Sequence, residues 1–351
     1  MENNDRPIIL RSYMGRDFAD RVCHFLDTKY NGTFDVGEIT IKPFPDGEPN
    51  IKIEASVDRR RVYVIHSFQG YGDSGSPHEQ YDSGHGSMAL FFINDALMRA
   101  GAEKIINVLP HPPYQRQDRK EEGRVPISSA VFMDLLSHSG GKAFERLITM
   151  EMHSGQQQGF GKYPVDNLYA NEFFARYFSQ RGDGFVVVSP DEGGGKRARD
   201  LAHRLRTHHV YSSKLREGTE KKGVEIIGDL QGKKRAIIPD DMTDSSTTLC
   251  LAAKELYDRG VEEVYACVTH PELSPTDGIA AEERIQEVGL KLVVGDTMPM
   301  SQQYINDNRD WLTVISFAPL FGRVIYERET RGSVSRLFTE EEHPDIPLIT
   351  L

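Results

Sequence analysis

Ala236–Leu249 reads AIIPDDMTDSSTTL. A short apolar strand, Ala236–Ile238, runs through Pro239 into two adjacent carboxylates, Asp240 and Asp241. A turn of Asp244, Ser245, Ser246, Thr247 and Thr248 follows, and a helix begins. Such a turn offers hydroxyls and backbone N–H groups at a helix N-terminus, where the helix dipole favours phosphate. The two aspartates would repel that anion, so they suit ribose hydroxyls or a metal ion instead. The plain alternative is an N-cap turn after a strand, yet paired acids at a strand end serve no packing purpose.

Outward from this stretch, short apolar runs alternate with amphipathic segments. Arg61–His66, Ile105–Leu109, Leu147–Met150, Phe185–Val188, Val264–Thr269 and Leu292–Val294 read as further strands. Met88–Ala100, Ser128–His138, Lys196–Arg206, Thr248–Arg259 and Ala280–Val288 read as helices. Strands alternating with helices imply parallel βαβ units, an α/β fold that binds ligands at its strand ends. The unbroken apolar runs suit a sheet covered on both faces. Gly70–Gly86 and the charged Ser213–Gly223 read as long loops. A domain boundary is expected between Gly159 and Asn171, with the tail Trp311–Phe338 returning to the first domain. The expected spans are 1–165 joined by 311–351, and 166–310.

Five other clusters carry chemistry, most with a plainer alternative. SPDEGGGKRAR (Ser189–Arg199) places Asp191 and Glu192 before three glycines, which allow a backbone to approach an oxyanion. Strand, glycine turn and helix are nevertheless a common combination. MEMHSGQQQGF (Met150–Phe160) puts Glu151 and His153 on one side of a strand end, a candidate divalent-metal pair or an ordinary hydrogen-bonded histidine. PHPPYQRQDRKEEGR (Pro110–Arg124) is a polar loop whose Arg116, Arg119, Lys120 and Arg124 could clamp a polyphosphate or simply face solvent. FPDGE (Phe44–Glu48) is a turn with two carboxylates. Lys214 and Arg216 form a cationic pair that could close over a transferring phosphoryl group or stay solvated.

With 351 residues the chain is long enough for two domains. No run of about 18 apolar residues exists, so no transmembrane helix is expected. MENNDRPIIL lacks a basic stretch followed by an apolar one, so no secretory signal is expected. Three scattered cysteines, Cys23, Cys250 and Cys267, make neither a disulfide framework nor a metal cluster, which suits a reducing cytoplasm. A net charge of −11 argues against a nucleic-acid coat, but local cations, metal ions and N–H groups can hold small phosphates on an acidic protein.

In this order the segments resemble the ribose-phosphate pyrophosphokinases. The likeness runs from about Pro43 to Phe338. It rests on PFPDGE, RVYVIHS, NDALMRAGAEKIINVLP, YQRQDRK, RVPISSAV, MHSGQQQGF, VVVSPDEGG, IIPDDMTDSSTTL, VYACVTHPELS and GSVSRLF. The resemblance implies two phosphoribosyltransferase-like domains with the active site between them and across a subunit contact. It implies transfer of the β,γ-diphosphoryl group of Mg-ATP to the C1 hydroxyl of ribose 5-phosphate. Carried over, Phe44, Asp46 and Glu48 would form the adenine loop, and Arg116, Gln117 and Asp118 would flank ATP. His153 and Asp191 would organise Mg²⁺, with His153, Lys214 and Arg216 catalytic. Asp240 and Asp241 would hold ribose hydroxyls, and Asp244–Thr248 the 5-phosphate. A homo-oligomer built from dimers, up to a hexamer, is implied as well.

The chain departs from the family pattern in places. Ser245-Ser246-Thr247 stands where the family has small Gly or Ala positions, which adds donors but removes room and backbone freedom. SGHGSMALFF replaces an acidic stretch, Pro112-Pro113-Tyr114-Gln115 replaces Phe-Gly-Tyr-Ala, and Glu151 replaces Asp. Two further readings follow: an acceptor larger than ribose 5-phosphate, with ADP-ribose the obvious candidate, or an inactive regulatory subunit. A phosphoribosyltransferase that consumes the product is a fourth, but it would lack FPDGE and RQD.

Overall fold

Val62–Ile65, Val186–Val188 and Ala236–Ile238 are fully buried, because helices cover both faces of the sheets these strands lie in. The computed structural model describes residues 6–69, 82–191, 193–217, 220–338 and 343–351. The side chains of 214–217, 220–222 and Phe338 lie outside that description. The chain divides into two units. One comprises Met1–Tyr169, Thr297–Met300 and Phe317–Pro347; the other comprises Ala170–Asp296, Ser301–Ser316 and Leu348–Leu351.

In the first unit β1 (Ile8–Ser12), α1 (Arg16–Tyr30), β2 (Asp35–Pro43), β3 (Pro49–Ile53), β4 (Arg61–Ile65), α2 (Ser83–Arg99), β5 (Lys104–Val108), α3 (Ser128–Gly140), β6 (Phe144–Met150) and β7 (Val165–Leu168) follow in sequence. The sheet order is β3-β2-β1-β4-β5-β6-β7. Only β3 runs antiparallel, joined to β2 by a hairpin. Leu10, Val64, Leu90, Ile93, Ile105, Phe132, Leu136 and Leu147 share one core. Inside it Asn94 of α2 and Asn107 of β5, both fully buried, exchange amide hydrogen bonds of 3.0 Å in each direction.

The second unit runs through α4 (Asn171–Ser179), β8 (Phe185–Ser189), α5 (Gly195–Arg204), β9 (His209–Glu217), β10 (Glu220–Ile227), β11 (Arg235–Thr243), α6 (Thr247–Asp258), β12 (Glu263–Pro271), α7 (Ala281–Val288), β13 (Lys291–Gly295), α8 (Gln302–Asp307) and β14 (Leu312–Ser316). The helix α9 (Ala318–Glu329) belongs to the first unit, and the tail strand β15 (Ile349–Thr350) to the second. The sheet order is β10-β9-β8-β11-β12-β13-β14-β15, with β10 and β15 the antiparallel edges.

Three expectations change. Ser213–Gly223 is not a loop: its described backbone belongs to the β9–β10 hairpin, in which Ser213–Glu217 pair antiparallel with β10, and the preceding His209–Tyr211 anchor β9 to β8. Gly70–Gly86 is not all loop either. Asp82 accepts the His85 N–H at 2.8 Å and caps α2 from Ser83 onward, while 70–81 lie outside the described residues. Finally, Leu312–Ser316 stays with the second unit, since β14 pairs with β13. After the brief return at Thr297–Met300, the chain rejoins the first unit at Phe317, where α9 packs on α1 through Phe18 and Phe321 and stacks Tyr326 on Tyr30 at 3.5 Å. Arg61 ties the end of α9 to the sheet, bonding Glu329 at 2.9 Å and Glu145 at 3.0 Å. No helix among the described residues is long and apolar enough to cross a membrane.

Candidate active site

Strand connections in the second unit leave β8 in opposite directions: through α5 to β9 on one side, while β11 continues to β12 on the other. Ligands of open α/β sheets bind at such a switch point, beyond the carboxyl ends of the strands. The loops there are 190–194, after β8, and 244–246, after β11. The first carries Asp191, whose Oδ1 accepts the Gly194 N–H at 3.0 Å and whose carbonyl accepts the Ser189 hydroxyl at 2.5 Å. Space at Gly194 is tight: a Cβ there would lie 3.0 Å from Pro190 Cδ and 3.1 Å from Ser189 Oγ. Glu192 lies outside the described residues.

Asp240 and Asp241 close β11, and the Asp241 N–H donates to Asp240 Oδ1 at 3.0 Å. Arg197 reaches both carboxylates from the first turn of α5, its Nη1 3.4 Å from Asp241 Oδ1 and 3.7 Å from Asp240 Oδ1. Desolvation, then the neighbouring Asp241, push the Asp240 carboxyl well above the usual carboxylate range, and Arg197 opposes both. The turn that follows is laced by hydroxyls. Thr243 Oγ1 meets Ser246 Oγ at 3.1 Å, and Ser245 Oγ meets Thr247 Oγ1 at 3.0 Å. Ser246 caps α6 with φ +58°, a left-handed conformation that costs an L-residue about 1–2 kcal/mol. The serine therefore does adopt the backbone that a glycine would take more cheaply. The first N–H groups of α6 have no intrahelical acceptors, and they open onto this turn with Thr247 and Thr248. Arg284 of α7 supports it, donating to the Ser245 carbonyl at 3.5 Å and the Ile279 carbonyl at 3.1 Å.

In the first unit Arg116–Asp118 follow β5 and His153 follows β6, away from the switch between β1 and β4. Asp118 is buried, and Arg119 grips it through Nε at 2.8 Å and Nη2 at 2.9 Å. That guanidinium holds the Asp118 carboxyl below the usual carboxylate range, helped by His153 nearby. Arg116 and Gln117 face solvent. Glu151 and His153 do not share a side. Glu151 turns inward at φ +41° and is buried, whereas His153 is exposed. Phe44, Asp46 and Glu48 form the exposed tip of the β2–β3 hairpin, closed by Phe44 N–H to the Glu48 carbonyl at 2.8 Å and Glu48 N–H to Asp46 Oδ1 at 3.1 Å. Lys214 and Arg216 lie on β9 with side chains outside the description. Thus Asp191, Asp240, Asp241 and Asp244–Thr248 gather at one sheet switch, and Arg116–Asp118 and His153 on neighbouring loops of the other unit.

Residues 8–140 match the family model for the N-terminal domain of ribose phosphate pyrophosphokinase, and residues 189–339 that of the phosphoribosyl synthetase-associated domain. A ribose-phosphate pyrophosphokinase of Oceanobacillus iheyensis is 38% identical over 306 residues, 86% of this chain and 90% of that protein. The chain belongs to the ribose-phosphate pyrophosphokinase family. The enzyme of that name from Listeria ivanovii is also 38% identical, over 87% of this chain and 90% of its own length. A crystal structure of phosphoribosylpyrophosphate synthetase from Mycobacterium smegmatis matches with a TM-score of 0.79 at 30% identity, covering 93% of this chain and all of the other. The phosphoribosyltransferase-like α/β fold expected from the resemblance is therefore present.

Within this pyrophosphokinase fold, Arg197, Arg284, Gln115 and Gln157 were not singled out from sequence. Arg197 sits inside the quoted GGGKRAR run. Only the pairing of α5 with the end of β11 reveals that it faces two carboxylates.

Proposed function

We propose that this chain transfers the β,γ-diphosphoryl group of ATP to the C1 hydroxyl of ribose 5-phosphate, giving PRPP and AMP. The observation that carries the reading is the β8–β11 switch, where two carboxylates beside Arg197 adjoin a hydroxyl-lined helix N-terminus. Asp240 and Asp241 accept ribose hydroxyls, and Asp244, Ser245, Ser246, Thr247 and Thr248 receive the 5-phosphate. Phe44, Asp46, Glu48, Arg116, Gln117 and Asp118 receive ATP. The C1 oxygen attacks the β-phosphorus, the bond from that phosphorus to the AMP oxygen breaks, and the hydroxyl proton leaves to solvent. Lys214 and Arg216 stabilise charge on the departing AMP oxygen, with His153 beside the phosphates; positioning and charge neutralisation supply the rate.

Mg²⁺ fits the donor chemistry. Asp191 is a hard oxygen ligand already oriented by Gly194, which suits an ion that prefers carboxylate and phosphate oxygens; His153 is its proposed companion. Mg²⁺ bound there would neutralise the nucleotide's phosphate oxygens. Chelation with EDTA is expected to stop AMP formation, and added Mg²⁺ to restore it.

Self-association is part of the reading. Phe44 is 50% exposed at its hairpin tip, and Met88, Phe92, Val131 and Leu135 expose apolar side chains on α2 and α3. A dimer-based homo-oligomer would cover such side chains. The cysteine usage supports a cytoplasmic setting.

The relatives favour ribose 5-phosphate over the larger acceptor and over an inactive subunit. Ser246 also weakens the case for ADP-ribose, because it takes the left-handed backbone despite its side chain. Incubation with Mg-ATP and either acceptor, followed by mass spectrometry, tests this. AMP with PRPP is expected from ribose 5-phosphate, and AMP release with ADP-ribose alone would overturn it.

A further inference from the structure

Gln115 and Gln157 are buried, at 3% and 0% exposure, on the two loops that follow β5 and β6. Gln115 Oε1 accepts the His153 backbone N–H at 2.8 Å, and its Nε2 lies 3.0 Å from His111 Nδ1. Its own carbonyl accepts Gln157 Nε2 at 2.9 Å. Gln157 Nε2 also donates to Ser129 Oγ at 2.8 Å, while Gln157 Oε1 accepts the Ser154 N–H at 3.0 Å. Ser129 closes the circuit, its N–H donating to the Gln117 carbonyl at 3.2 Å.

Every polar atom of both amide side chains is thus engaged: His111 and Ser154 hold each amide within its own loop, and the other bonds join the two loops or reach the start of α3. A buried amide is costly unless every partner is present, so such a network specifies one arrangement more sharply than apolar packing could. The residues it fixes are the ones assigned to ATP. Gln115 immediately precedes Arg116–Asp118, and its side chain anchors the backbone of His153.

We propose that Gln115 is a positioning residue, with Gln157 as its support, holding the His153 loop and the Arg116–Asp118 loop as one rigid edge for ATP. This rests on the assignment of those residues to ATP given above. Gln115→Met keeps length and bulk but removes both bonding atoms. It is expected to weaken Mg-ATP binding about tenfold or more, as loss of a buried hydrogen-bonding partner does, with the KM for ribose 5-phosphate changed less than about twofold. Calorimetric titration with Mg-ATP and steady-state AMP formation read the two effects separately. Gln157→Leu, which leaves Gln115 in place, is expected to shift ATP affinity in the same direction, and it carries the test if Gln115→Met does not fold. Unchanged ATP affinity, or equal weakening for both substrates, would overturn the proposal. Wild-type protein that binds ATP but forms no AMP with ribose 5-phosphate would overturn the proposed reaction instead, and the ATP titrations would still decide the role of Gln115.

Discussion

Replacing Asp240 by Asn removes one of two neighbouring carboxylates and leaves the rest of the turn in place. The amide oxygen can still accept the Asp241 N–H, now at 3.0 Å. Arg197 keeps its nearer partner, Asp241 at 3.4 Å, and loses only the 3.7 Å one. The wild-type carboxyl is raised by desolvation and by Asp241, so its ionised form is a cost to the native state above its folded pKa. That cost disappears when the group binds a proton. The Asp240 side chain keeps 24% of its exposure, which limits the gain from removing it to about 1–2 kcal/mol at pH 8. For a protein of this size that is a rise in Tm of roughly 1–3 °C. Because a carboxyl with a raised pKa stabilises the fold only when protonated, the difference between variant and wild type should shrink as pH falls toward 5. Scanning calorimetry at half-unit pH steps measures it. The same variant should lose about a hundredfold or more in kcat/KM for ribose 5-phosphate, since an amide replaces a carboxyl partner of the ribose hydroxyls. A lower Tm at every pH, or a difference independent of pH, would refute the claim that Asp240 trades stability for binding.

Asn107→Leu should destabilise the protein by about 2 kcal/mol in urea denaturation, because the buried Asn94 Oδ1 loses its donor while Nδ2 keeps only Ser139 Oγ at 3.1 Å, and Asn94→Leu in the same chain should recover part of it. His66 is buried against Ser12 and the Gly86 carbonyl, and desolvation lowers its pKa to about 4. Its stability contribution is therefore present above pH 6.5 and lost as pH falls toward 4. That amounts to roughly 3 kcal/mol, which His66→Asn should largely remove from the acid limb of a pH–stability curve. Lys214→Ala should cut turnover about a hundredfold while the Kd for Mg-ATP moves only a few-fold, as expected of a contact that tightens in the transition state. Unchanged turnover in a steady-state assay would remove Lys214 from the mechanism.

Local pattern was enough for the central strands and their helices, since Val186–Val188 and Ala236–Ile238 are apolar runs with no other place to go. It was not enough at the edges. The charged, apolar-poor stretch around Lys214 has no periodicity that marks a strand, and it becomes the end of β9 because β10 folds back to pair with it, while β8 holds only His209–Tyr211. Leu312–Ser316 likewise joins the second unit because β13 is there to receive it. Glu151 and His153 differ by two residues and looked equivalent, but a left-handed backbone at Glu151 turns one inward and leaves the other in solvent.

The sequence alone determined the α/β class, the family, and the types of residue at each strand end, because those depend on composition and short-range order. The tertiary structure decided which polar groups meet. Arg197 came to face Asp240 and Asp241, Arg284 came to brace the phosphate turn, and Gln115 came to hold His153. Each pairing joins residues more than thirty positions apart, and only strand order and helix packing bring such residues within hydrogen-bonding or ion-pairing range.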